Sequence, residues 1–63
     1  MRQQIQNYLQ AMATRISKTE RSDVLELRTT KLFACMDMAK VLLDADRITV
    51  DENWKIHIEG GIT

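Results

Sequence analysis

The sequence contains no proline, and its only two glycines, Gly60 and Gly61, lie near its end. No stretch before residue 60 has the composition of a flexible linker, and no internal repeat divides the chain. Cysteine is almost absent as well. Cys35 stands alone inside an apolar run, which excludes an intrachain disulfide and makes a buried, reduced thiol the simplest reading. A reduced thiol suits the cytoplasm. With His57 as the sole histidine, no zinc-ligand spacing exists. The acidic residues Asp44, Asp46 and Asp51 fail the calcium-loop pattern, which would need an oxygen ligand at Ile48 and a glycine at Thr49.

Long hydrophobic runs are also missing. The first ten residues, MRQQIQNYLQ, are polar at nearly every step and lack the apolar centre of a signal peptide. The longest apolar stretch, Leu32 to Leu43, has ten apolar residues in twelve, interrupted by Asp37 and Lys40. That falls short of the roughly 18 to 20 residues needed to span a bilayer. The expectation is a soluble, cytoplasmic protein without membrane contact.

The chemistry of catalysis is equally sparse. Nucleophilic catalysis needs a nucleophile beside an oriented base. Here Cys35 is predicted inside a helix core, and His57 on the polar side of a strand. No glycine-rich phosphate loop is present. The carboxylate pairs Asp44/Asp46 and Asp51/Glu52 read as solvated helix-end and loop residues. No catalytic, cofactor-binding or metal-binding residue is nominated, and the chain is not expected to be an enzyme.

The residues present organise into three segments of one small domain, residues 1–63. Ile5, Tyr8, Leu9, Met12 and Ile16 form one stripe at helical spacing and predict a helix over about 2–17, with Gln3, Gln6 and Gln10 on the opposite face. Tyr8 is expected to be half-buried with its hydroxyl at the edge. A second helix is predicted over about 23–45, opened by a capping box of Asp23 and Glu26. It carries two apolar stripes, Leu25–Leu32–Met36–Ala39–Leu43 and Val24–Leu27–Ala34–Met38–Val41, so it reads as apolar nearly all round and buried. Residues 47–59 then change to a period of two, which predicts a β-hairpin. A three-residue loop, Asp51 to Asn53, would set Val50 opposite Trp54 and Ile48 opposite Ile56, placing all the apolar side chains on one face. Asn53 would take the left-handed position of that loop. The fold class is α+β.

A chain of about 60 residues hides only about 60% of its unfolded surface and usually needs a further staple. One chain closes if helix 1 covers one stripe of helix 2 and the hairpin the other. Two open strand edges and the additional apolar residues Phe33, Cys35, Leu42 and Ala45 favour a homodimer through the second helices instead. The expected interface is Leu32, Cys35, Met36, Ala39, Leu42, Leu43 and Trp54, although a different protein in place of the second copy fits the same residues. The hairpins of two subunits could also join into a four-stranded sheet.

The net charge is zero, yet residues 1–31 hold six basic and three acidic side chains, and residues 32–63 hold three basic and six acidic. Two functional readings follow. The first is a non-enzymatic protein-interaction module, an adaptor, accessory subunit or inhibitor that acts by occupying a surface, with Trp54 as a candidate anchor. Size suggests an accessory protein of the kind mobile elements carry. The alternative is a small DNA-binding regulator with a hairpin wing, reading DNA through Gln3, Gln6, Gln10, Arg15, Lys18 and Arg21. The neutral total and the absence of a third helix weigh against it.

Overall fold

The structure, a computed structural model, describes residues 2–61. Two helices, α1 (Arg2–Ser17) and α2 (Ser22–Leu43), are followed by an antiparallel hairpin of β1 (Ala45–Val50) and β2 (Ile56–Gly60). This is the α+β arrangement that the switch of period from helical to alternating implies.

Helix α1 buries Leu9, Ala13 and Ile16. Ala13 is fully enclosed in the core despite its small side chain. Tyr8 lies off this line and is 65% exposed, more than its place in the stripe predicts. The chain reverses without glycine because side chains satisfy the last carbonyls of α1. Ser17 Oγ donates to Thr14 O at 2.6 Å, and Thr19 Oγ1 donates to Arg15 O at 2.9 Å. Arg28 on α2 then donates to Thr19 Oγ1 at 2.7 Å, tying the connection to the second helix.

Helix α2 begins after Arg21, which occupies the cap position without a side-chain cap bond. The expected capping box is therefore not formed; Asp23 instead pairs with Arg21 at 3.0 Å on the surface. The helix ends at Leu43 rather than near residue 45. Asp44 turns left-handed (φ 50°) and donates its N–H to the carbonyls of Lys40 and Val41, which starts β1 at once.

The core consists of Leu9, Ala13, Ile16, Leu32, Met36, Ala39 and Ile56. Ile48, Val50 and Ile58 pack against it from the same side of the sheet as Ile56. Arg47, Thr49, His57 and Glu59 form the outer, exposed side of the sheet. The stripe Leu32–Met36–Ala39–Leu43 is enclosed by α1 and the hairpin together. The second stripe is left outside: Leu27, Met38 and Val41 are exposed, Val41 to 80%. Helix α2 is thus buried along one line only, because α1 and the hairpin share that line rather than taking one stripe each.

The hairpin register differs from expectation by two residues. Val50 faces Ile56 and Ile48 faces Ile58 across a loop of residues 51–55. A displacement of two preserves which side chains share a face, so the apolar side is unchanged. The wider loop is gathered by Asp51. Its Oδ1 accepts from the N–H groups of Asn53 and Lys55, both at 2.9 Å, and its own N–H donates to Lys55 O at 3.0 Å. The left-handed residue is Trp54 (φ 60°), not Asn53. At the other end of the hairpin the register shifts between Ala45 and Arg47, leaving Asp46 as the extra residue of a bulge opposite Gly60.

Candidate functional site

The side of the helix pair away from the hairpin carries a groove of about 290 Å³. Ile5, Tyr8 and Leu9 of α1 and Cys35, Met38, Ala39 and Leu42 of α2 form its apolar walls, and Gln4 stands at its rim. No hairpin residue lines it. At the small end of the range for ligand pockets and open along its length, it suits a side chain or a helix face better than an enclosed substrate. Met38 is 67% exposed beside it, with Leu42 and Val41 continuing the apolar surface around α2.

Of the seven residues expected at an interface, Leu32, Met36, Ala39 and Leu43 lie inside the folded chain. Leu32 and Leu43 are almost fully covered, while Met36 and Ala39 keep a sliver of surface, Met36 in a groove beside β1 and Ala39 in the groove between the helices. Cys35 is half-buried in the groove wall rather than enclosed in a core. Leu42 is exposed beside it. Trp54 is half-buried and packs against the core from the hairpin loop, apart from the groove.

The glutamines and bases of the nucleic-acid reading are dispersed. Gln10 faces the hairpin: its Oε1 accepts from Ile56 N–H at 3.0 Å, and its Nε2 donates to Trp54 O at 2.9 Å. Gln6 is half-buried, and Gln3 donates to Asn7 at 2.9 Å on the surface. Arg15 shares a depression with Arg28 and Lys31 near the helix connection. Lys18 and Arg21 lie around the turn in a neighbouring one, also with Arg28.

His57 and Cys35 do not meet. His57 Nε2 donates to Asp51 Oδ2 at 2.9 Å on the outer side of the hairpin, whereas Cys35 faces the groove between the helices. That hydrogen bond, and next the Lys55 N–H and the Asn53 N–H, hold the Asp51 carboxyl below the usual aspartate range. The arrangement fastens a loop. Among the described residues, no three His, Cys, Asp or Glu side chains converge as a metal set, and no helix is long and apolar enough to cross a membrane.

Arg2 and Gln10 have a role that the stripe pattern does not announce. Arg2 donates to Ile58 O and Gly60 O, each at 2.9 Å, while Gln10 holds Trp54 O and Ile56 N–H. Together they cap part of the outer edge of β2, taking one of its N–H groups and two of its carbonyls. The signal available in sequence was Ala13: counted as core, it turns the buried line of α1 toward Gln6 and Gln10. Compared with known proteins, the chain matches no family model, no curated protein and no solved structure.

Proposed function

We propose that the protein is a non-enzymatic interaction module that works by occupying a partner's surface, and that the open flank of the helix pair makes the contact. The observation that carries this reading is the exposed row Tyr8, Met38, Val41 and Leu42 beside an apolar groove. A small folded chain gains nothing in its own stability from leaving such side chains in water, whereas covering them against a partner removes apolar area at about 25 cal/mol per Å². The groove between two helices is the shape that takes one face of an amphipathic helix. Gln4 supplies a polar neighbour for a rim. Self-association belongs to the same reading, with an adaptor, accessory subunit or inhibitor as the class and the cytoplasm as its setting.

The alternative is a DNA-binding regulator. Arg15, Lys18, Arg28 and Lys31 around the helix connection favour it. Against it, Gln10 already spends its amide on the hairpin and Arg21 pairs with Asp23.

Affinity capture from the native host with the wild-type chain, Met38→Asp and an Arg15→Ala/Lys18→Ala double variant separates the two. A protein held by wild type and by the double variant, but lost with Met38→Asp, supports the flank. Duplex DNA retained at low salt and lost with the double variant supports the alternative and ends the first reading.

A further inference from the structure

Among the described residues, the side chains of α1 reach only one of the hairpin's two outer edges. Gln10 and Arg2 take the Ile56 N–H and the Ile58 carbonyl, which therefore point away from β1. In an antiparallel ladder this makes Val50–Ile56 and Ile48–Ile58 the pairs that exchange no hydrogen bonds. The N–H and C=O groups of Ile48 and Val50 then point outward from β1. Among the described residues nothing bonds them.

We propose that this edge of β1 pairs with the same edge of a second copy, antiparallel about a twofold axis through Thr49, to make one four-stranded sheet. The inference deepens the interaction-module reading by naming one partner, and it leaves the flank of Tyr8 and Met38 free for another.

Three features select this occupant and this register. The outward groups of Ile48 meet those of the partner's Val50, and the reverse, so all four groups on each copy find partners. Moving the axis to Ile48 would engage the bulged Asp46 instead, and moving it to Val50 would engage the loop residue Glu52. With the axis at Thr49, Arg47 stands opposite the partner's Asp51 on the outer side of the sheet, an attraction made twice by symmetry. On the helix side, Ile48 meets the partner's Val50, and two threonines meet at the axis on the other side, all β-branched residues suited to strands. Beside this edge, Phe33, Asp37 and Lys40 of α2 line a groove with Ile48 and Val50, and Phe33 is 49% exposed. A second copy seated on the edge covers that ring, and the opposite charges of Asp37 and Lys40 suit a twofold that faces acid to base.

The test uses the full chain. Sedimentation velocity at micromolar concentration should give twice the chain mass of 7.3 kDa. Total synthesis with Val50 N-methylated removes an outward N–H that the single chain does not use; it should give a folded monomer by circular dichroism. Thr49→Cys in a Cys35→Ser background should form an interchain disulfide on mild oxidation, because directly opposite residues that exchange no hydrogen bonds bring their Cβ atoms within about 4.5 to 5.5 Å. Arg47→Cys in the same background should not. A single-chain mass throughout overturns the proposal. So does a dimer that survives Val50 N-methylation, or one that cross-links at Arg47→Cys instead. Met38→Asp should remain dimeric. If it alone dissociates the dimer, the seam is the helical flank: the edge proposal fails while the interaction reading stands.

Discussion

Gln10 closes the edge of β2 at Ile56: its Oε1 accepts the Ile56 N–H at 3.0 Å, and its Nε2 reaches one residue back along the loop to Trp54 O at 2.9 Å. A primary amide reproduces the donor–acceptor pair of a peptide unit, which is why one side chain on a helix can stand in for a strand. It also holds the carbonyl of Trp54, whose left-handed backbone is costly for a bulky residue.

Gln10→Leu therefore leaves a half-buried donor and acceptor unpaired while keeping the side-chain volume. The expected loss is about 1 to 3 kcal/mol. Urea unfolding should show a lower midpoint with an unchanged slope; a midpoint equal to wild type would mean that water replaces the amide at no cost.

The division of α2 into a buried and an open stripe gives a sharp contrast. Leu32 is 0% exposed, so Leu32→Ala should cost about 2 to 5 kcal/mol. Val41→Gln should stay within about 0.5 kcal/mol of wild type, since it places a polar group where the side chain is already in water. Thermal melts of the two variants check this, and a Val41→Gln protein that unfolds would place that stripe inside an assembly.

Asp51 gives the hairpin an acid sensitivity. Its carboxyl is depressed in the folded state, so its contribution to stability is complete above the unfolded aspartate pKa of about 3.9 and is lost as pH falls through the lower folded value. Asp51→Asn lacks the charge that His57, Lys55 and Asn53 favour. Urea midpoints of the two proteins should differ near neutrality, with wild type the more stable, and converge in acid once the pH is below the lowered folded value. Parallel curves across that range would rule out the carboxylate as the source.

The paired glycines should differ in a way that can be rescued. Gly60 has φ +72°, and a Cβ there would strike the Asp46 carboxylate; Gly61 has φ +95°, and its Cβ would lie 2.8 Å from the backbone carbonyl of Leu43. Both alanine variants should lose about 1 to 3 kcal/mol from the left-handed backbone alone. Gly61→Ala should lose more, because a carbonyl cannot swing aside. Adding Asp46→Ala should recover part of the Gly60→Ala loss and none of the Gly61→Ala loss in the same unfolding assay.

What could be read from sequence follows the strength of the local signal. The helices and the hairpin were legible because period and length agree over many residues, and the apolar side of the sheet was legible because parity survives a shift of two. The loop was not, since a three-residue turn with Asn53 left-handed and a five-residue turn with Trp54 left-handed satisfy the same parity; the choice rests on the Asp51 carboxylate collecting two N–H groups. The end of α2 was misplaced because Ala45 favours helix by propensity, and only the left-handed Asp44 breaks it. The candidate surface was the least legible part. Both stripes of α2 look alike as apolar residues, and sequence alone does not say that α1 and the hairpin settle on the same one. The edge contacts of Arg2 and Gln10 span 56 and 46 residues of chain to Ile58 and Ile56, and no local pattern encodes them.

The capping of one margin of the hairpin by a helix has a consequence for how the molecule can grow. A strand-bearing protein with both margins bare can add neighbours without limit and is a precursor of fibres. Here Gln10 and Arg2 already hold one N–H and two carbonyls of one margin, so strand addition is directed to the other, and a twofold pairing there ends in a closed particle rather than a polymer.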